Sequence, residues 1–343
     1  MEINFTKYRI DLKYSFGISR SSNLWYDVAF VYIKDNGIVG RGEAAPSKRY
    51  GESINDIFDV LKSGITLPKN NYDKDLLWKH IKPQLRNIKS LEAAFNMAIW
   101  DWWGQKKKKP IYQLLKINAN KLPKTSFTIA IGELDEIGKK IEESEPYSIL
   151  KVKLGTPKND KNIITEIRKY TDKTIRVDAN EGWDLDIAIN MSKWLADRNV
   201  EFIEQPFPAS KMDQTAIFKK KSPLDVFADE NSINSSDIPN LSGFFDGINI
   251  KLMKCGSIDE GYKMIRFARK FKLKIMLGCM VESSVGITAA SHLAGCVDYV
   301  DLDGNLLISN DPYVGVKVVD GSLKLSSKNG LGVKLNKEKK ELL

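Results

Sequence analysis

Three carboxylates recur at a near-constant interval in the sequence. Asp178, Glu204 and Asp229 lie 26 and 25 residues apart, and each closes a short apolar run, RVD, FIE or VFAD. Like charges brought together at neighbouring chain ends repel one another unless a cation sits among them. An all-oxygen ligand set with room for water and a substrate oxygen suits Mg²⁺. Each carboxylate could instead cap the helix that follows, a role better suited to Asp than to Glu. Three at matching positions fit a metal better.

The lysines supply the other half of a reaction. In SILKVKL, Lys151 and Lys153 are two residues apart, so on a strand they share a face. Two ammonium groups this close should lower one another's pKa, and a lysine brought toward neutrality can act as a general base. Lys251, in GINIKL, ends a run further along the chain and should face that pair across the site. With a substrate carboxylate on the metal, one lysine could remove the adjacent C–H proton while the metal offsets the charge of the resulting enediolate. A proton returned from the opposite face inverts the carbon, which is racemisation or epimerisation.

These residues need a scaffold that brings distant segments to one rim. Eight runs rich in β-branched and apolar residues begin at positions 126, 148, 174, 201, 225, 247, 274 and 299. Their 22- to 27-residue spacing is the length of a strand, a helix and two loops, the pattern of repeated βα units around a parallel sheet. Intervening segments such as IITEIRKYT and EGYKMIRFARKF carry apolar residues at three- and four-residue spacing, as amphipathic helices do. A doubly wound open sheet would want a GxGxxG turn after its first strand, and none is there. The expected fold is therefore α/β, a (β/α)₇β TIM-like barrel, whose catalytic groups come from strand C-termini. In that frame Lys153, Asp178, Glu204, Asp229 and Lys251 all end strands, and the eighth ends in Asp301 and Asp303.

The first 120 residues read differently. Strands at 2–12, 27–34 and 38–43, the last two joined by Asp35-Asn36-Gly37, precede helices and suggest an N-terminal α+β capping domain. The segment SLEAAFNMAIWDWWGQ, residues 90–105, is apolar almost all round and should be buried. Residues 121–310 form the barrel in this reading. Residues 311–343 return to strand-like patterning and should pack back on the cap to complete it.

Other function classes find little support. The net charge of +9 comes from scattered lysines and short runs, Lys106 to Lys109, Lys219 to Lys221, and Lys339 with Lys340, not from a stripe with interleaved aromatics. Nucleic-acid binding is not expected. The start lacks an apolar signal-peptide core, and no run approaches the roughly 18 apolar residues of a membrane span. A cytoplasmic location is the expectation. Three cysteines without CxxC spacing, Cys255, Cys279 and Cys296, suggest small core residues, not a disulfide framework or zinc site. The two histidines, His80 and His292, fall outside the strand ends, which argues against a His-based dyad, a Ser-His-Asp triad or a two-histidine metal site.

The order KVK, RVDAN, IEQP, ADE and NIKLMKCGS resembles the enolase superfamily, in its muconate-lactonising-enzyme subgroup, over almost the whole chain. The resemblance implies the cap and (β/α)₇β barrel, one Mg²⁺ at Asp178, Glu204 and Asp229, the acid/base pair Lys153 and Lys251, and Lys151 as the neighbour that tunes Lys153. Within the subgroup the chain looks most like the dipeptide epimerases of the L-Ala-D/L-Glu type. There a DxD at the end of the eighth strand, here Asp301-Leu302-Asp303, binds the free α-ammonium of a dipeptide. The family also closes cap loops over its substrate, here at about 16–26 and 44–53. Arg20 resembles the arginine that pairs with a glutamate side chain, and Arg49 is a second candidate. Gly256-Ser257 departs from the two glycines of many relatives. Oligomeric state leaves no trace in the sequence, although members of the family commonly form homo-oligomers.

Two other readings remain. An N-acylamino acid racemase, an o-succinylbenzoate synthase or a cycloisomerase would keep the fold and metal, but its substrate would offer no ammonium to Asp301 and Asp303. A non-catalytic barrel protein would not need divalent metal.

Overall fold

The structure, a computed structural model, describes residues 1–69, 73–120 and 122–336. Lys339, Lys340, the end of the C-terminal segment from 337 and position 121 at the expected start of the barrel lie outside the described residues.

The chain opens with an antiparallel sheet, β1 (Glu2–Ile18), β2 (Ser21–Asp35) and β3 (Ile38–Ala44). Asn36 and Gly37 turn from β2 to β3 with φ of 48° and 78°, as a two-residue hairpin turn with both residues left-handed requires. The β1–β2 hairpin runs well beyond the expected strands, so residues 16–26 form its paired tip and not an open loop. A register irregularity between Asp11 and Phe16 marks a bulge, which bends such ribbons. Beyond it Gly17 bridges to Ile131, docking the tip on the barrel. Three helices follow, α1 (Ile54–Lys62), α2 (Lys74–Ile81) and α3 (Lys89–Lys106).

As its apolar pattern predicts, α3 is buried along most of its length. It lies directly on β3: a Cβ added to Gly42 would fall 1.8 Å from the Ala94 carbonyl oxygen, so glycine is what permits this approach. On another face Asn96 accepts from Ile258 N–H at 2.9 Å, and Trp100 Nε1 donates to Asp259 at 3.0 Å. The helix thus bolts the cap to the barrel. Glu43, at the end of β3, is fully buried and accepts N–H groups of Ser283 (2.8 Å) and Gly286 (3.0 Å) at the start of the helix Ser284–Ser291.

Eight parallel strands then follow in chain order: β4 (Phe127–Ile129), β5 (Ile149–Lys153), β6 (Thr174–Asp178), β7 (Val200–Glu204), β8 (Asp225–Ala228), β9 (Gly247–Ile250), β10 (Lys274–Leu277) and β11 (Tyr299–Val300). Each is hydrogen-bonded to the next, and a parallel bridge between Thr125 and Val300 brings the two ends together. All eight coincide with the runs read from the sequence. Alternate positions such as Leu150, Val152, Ile175, Val177, Ile248 and Ile250 join the large core with helix residues such as Ile163, Met191 and Met264. The other face carries Lys151, Lys153, Asp178 and Glu204 on β5 to β7 and, lower down, a separate Phe202, Phe227 and Met276 cluster with Tyr299 against it. Arg176 stacks over Phe202 and Tyr299 there.

Ser257 has a local explanation. Gly256 takes φ 84° to end the short helix before it, and Ser257 caps the helix Ile258–Lys270 by accepting from Glu260 N–H at 2.9 Å. The C-terminal segment touches both halves: Tyr313 meets Tyr32 at 2.8 Å, Leu331 N–H donates to Asp101 at 2.8 Å, and Gly321 O accepts from Thr125 at 2.8 Å. No helix among the described residues is long and apolar enough to cross a membrane.

Candidate active site

The parallel register sets the site row by row. Lys153 on β5 pairs with Asp178 on β6, and Asp178 with Glu204 on β7, so three charged side chains stand level on neighbouring strands. Glu204 pairs with Phe227 on β8, which puts Asp229 one step higher on the same face. Lys251 directly follows β9, and Lys151 lies one step below Lys153.

One carboxylate oxygen each from Asp178, Glu204 and Asp229 lie within 4.8 Å of one another, and all three residues are buried. Anions packed this closely need cations, and lysines surround them. Lys153 Nζ lies 2.7 Å from Asp178, Lys251 Nζ 2.7 Å from Asp229, and Lys151 Nζ 2.7 Å from Glu204 and 3.4 Å from Asp178. The Lys151–Glu204 approach is out of line for a hydrogen bond, so Glu204 Oε2 is buried with an ionic contact and without a hydrogen bond. Three buried carboxylates, one of them with an oxygen that accepts no hydrogen bond, are a donor set that fits a hard divalent cation.

The charges decide the protonation states. Burial pushes the Asp178 carboxyl up, but Lys153 and Lys151 outweigh it and hold it at about 2. Burial likewise works against ionised Asp229, yet Lys251 and Lys254 hold it well below the usual carboxylate range. Glu204 is raised, by burial and then by Asp178. The expectation that Lys151 and Lys153 lower one another is corrected for Lys151. Burial lowers its pKa, but Asp301, Glu204 and Asp178 together hold it well above the ordinary lysine value. It serves the carboxylate cluster as a counter-ion.

Several residues without an expected role complete the site. Lys254, quoted above only as part of NIKLMKCGS, is buried and donates to both the side chain and the backbone oxygen of Asp229. Asn249 Nδ2 donates to Glu204 Oε1 at 2.6 Å, and Gln205 Oε1 accepts from Asp229 N–H at 2.9 Å. Polar residues inside apolar runs, as Asn249 is in GINIKL, were the available signal.

Asp301 and Asp303 both line the cavity, but not as neighbours on one strand face. Asp301 continues β11, its N–H donating to Leu277 O at 2.8 Å, whereas Asp303 begins the turn Gly304–Leu307. Asp301 accepts from Lys151 Nζ at 2.7 Å and Ser126 Oγ at 2.6 Å; Asp303 accepts from Thr128 N–H at 2.6 Å. Burial and the charge of Asp301 push Asp303 up to about 7. Against burial, Lys151 and Lys153 keep Asp301 below the usual carboxylate range.

The cap closes the other side. Arg20, at the hairpin tip, and Arg49, in the turn Lys48–Tyr50, both line the cavity and both meet Glu181 in the loop after β6. Nothing local in the sequence pointed to Glu181. The cavity, about 850 Å³, also contacts Lys153, Lys251, Asp229, Asp301 and Asp303, a size within the range of small-molecule sites. The histidines stand apart as expected: His80 meets Thr66 in the cap, and buried His292 accepts from Tyr112 N–H, burial lowering it to about 4.

Known proteins share this architecture. The L-Ala-D/L-Glu epimerase of Bacteroides thetaiotaomicron is 38% identical over 97% of this chain and 88% of its own length. The L-Ala-D/L-amino acid epimerase of Flavobacterium johnsoniae is 37% identical over 98% of this chain and all 100% of its own. Among solved structures, a dipeptide epimerase from Cytophaga hutchinsonii, complexed with Mg and the dipeptide D-Ala-L-Val, superposes with a TM-score of 0.91 at 26% identity, covering 98% of this chain and 96% of that one. The model of the enolase C-terminal domain-like family matches residues 135–340. A barrel with carboxylates and lysines at its strand ends, matched over more than half its length by that model, makes this chain a member of the enolase C-terminal domain-like family.

Proposed function

We propose that this protein is a Mg²⁺-dependent dipeptide epimerase, an isomerase that inverts the α-carbon of the C-terminal residue of a dipeptide. The carrying observation is one cavity lined by Lys153, Lys251, Asp229, Asp301 and Asp303, with Asp178 and Glu204 buried beside Asp229 to complete the triad. The relatives named above support the reading.

In this reading Asp178, Glu204 and Asp229 hold Mg²⁺, which supplies positive charge to offset the charge developing on the substrate carboxylate. Lys153 and Lys251 serve as base and acid on opposite faces of the α-carbon; which lysine acts first depends on the epimer. Lys151 lies against Glu204 and Asp301 and offsets their charge. Asp301 and Asp303 receive the substrate ammonium, which restores charge balance around Asp303. The cap excludes water and leaves Arg20 and Arg49 on the wall facing the second side chain. Residues 1–120 then act as cap, 121–310 as catalytic barrel and 311–343 as the segment tying them together. We place the enzyme in the cytoplasm, a reading supported by three free cysteines.

Incubation in D₂O with a library of L,L-dipeptides tests the reading. Deuterium should enter at the C-terminal α-carbon and the L,D product should appear. Absence of exchange with every dipeptide would sink it.

A further inference from the structure

Glu181 sits where both cap loops meet the barrel mouth. It follows Asn180 in the turn after β6, the two residues at φ 44° and 66°, an uncommon left-handed pair that breaks the strand direction. Its Oε1 accepts from Arg49 Nη2 at 2.7 Å and from Ala209 N–H at 2.9 Å; its Oε2 accepts from Arg49 Nε at 2.7 Å and from Arg20 Nη1 at 2.8 Å. The second nitrogen of Arg20 donates to Glu230 at 2.9 Å. The Glu181 side chain is only 8% exposed, against 34% for Arg20 and 36% for Arg49. The carboxylate is the fixed member, and the guanidinium groups are the ones that reach the cavity.

These contacts bear on which substrate the cavity accepts. With the substrate carboxylate at the triad and its ammonium at Asp301 and Asp303, the wall left for the second side chain is the cap, formed by Trp25, Tyr26 and Tyr50 together with the two arginines. An acidic side chain arriving there would meet guanidinium groups already paired with a carboxylate. It would have to share them, or displace Glu181 and leave a nearly buried charge without its partners. Lys48, the other cation on this wall, is exposed, so solvent screens it. An uncharged side chain meets no such conflict.

We propose that Glu181 is a specificity-determining residue: by binding Arg20 and Arg49 it withholds both from the substrate, so the enzyme prefers dipeptides with an uncharged second side chain over those with an acidic one. The proposal rests on the dipeptide epimerase reading.

Its test compares kcat/KM for L-Ala-L-Leu and L-Ala-L-Glu in the Mg²⁺-loaded enzyme. Wild type should favour L-Ala-L-Leu. Glu181→Gln should raise the acidic-to-neutral ratio about tenfold or more, as expected for a charge pair this close. Adding Arg20→Gln to that variant should take back most of the gain, which a merely loosened site would not do. Should Glu181→Gln fail to fold, Glu181→Asp keeps the charge, shortens its reach and should move the ratio the same way. A wild-type preference for L-Ala-L-Glu, or a variant ratio within about threefold of wild type, overturns the proposal alone. No α-proton exchange with either dipeptide in the wild type overturns the epimerase reading and the proposal with it.

Discussion

Lys153 and Asp178 are register partners on adjacent barrel strands, and their side chains meet at 2.7 Å. Lys251 stands in the same relation to Asp229, also at 2.7 Å. Each of the two proposed acid/base lysines is thus tied to a different member of the carboxylate cluster. The cluster lies between them, and a substrate carboxylate held there would present its α-carbon to both.

Removing either lysine should therefore stop epimerisation but not all proton exchange. Lys153→Ala and Lys251→Ala are each expected to lose roughly 10²- to 10⁴-fold in turnover, the usual worth of a positioned acid or base. In D₂O each should still exchange the α-proton of one epimer, with opposite choices, as read by proton NMR of the L,L and L,D dipeptides. Turnover within a few-fold of wild type in either variant would remove that lysine from the mechanism.

Asn249 orients a proposed metal ligand, since it donates to Glu204 at 2.6 Å. Asn249→Ala should weaken Mg²⁺ binding on the order of 10- to 100-fold, as loss of such orienting partners does elsewhere. Calorimetric titration of Mg²⁺ into chelator-stripped protein measures it directly. An unaltered affinity would show that Glu204 does not need this partner.

Asp301→Asn and Asp303→Asn should erode selectivity for a free amine. Wild type is expected to favour a dipeptide over its N-acetyl derivative, and each variant to narrow that kcat/KM ratio roughly 10- to 100-fold, the worth of a charge-assisted hydrogen bond in a buried site. Equal narrowing is not expected, because Asp301 also accepts from Lys151. A ratio that stays put would favour an N-acylamino acid or succinylbenzoate-type substrate.

Glu43 should make stability fall with rising pH. Burial is the main cause that pushes its carboxyl from 4.5 up to about 7, despite hydrogen bonds from Ser283 and Gly286 that favour the charged form. Between those values the folded protein keeps a proton that the unfolded chain has lost, so the stabilisation is complete below about 4.5 and gone above about 7. The shift corresponds to a loss on the order of 3 kcal/mol across that window. Melting temperatures from pH 5 to 8 should decline more steeply in wild type than in Glu43→Gln. Parallel curves would mean Glu43 does not titrate in that range.

How far the sequence alone reached follows from which interactions are local. The eight strands were legible because apolar alternation and a 22- to 27-residue interval are properties of the chain itself, and a parallel barrel then brings Lys153, Asp178, Glu204, Asp229 and Lys251 to one rim. The epimerase reading needed Asp301 and Asp303 in addition, and family resemblance to give them a role. The hairpin tip was missed because its mixed polar residues carry no clean two-residue period, and pairing across β1 and β2 decides its length. Other features depended on distances between segments far apart in the chain. Burial lowers the pKa of Lys151, but four carboxylates from distant parts of the chain, Asp301, Glu204, Asp178 and Asp229, outweigh it, and none of them is visible beside it in the sequence. Arg20 and Arg49 were legible only as cations on loops. That both close on Glu181, more than 130 residues further along, was decided where the cap meets the barrel, because charges pair according to their separation in space and not along the chain.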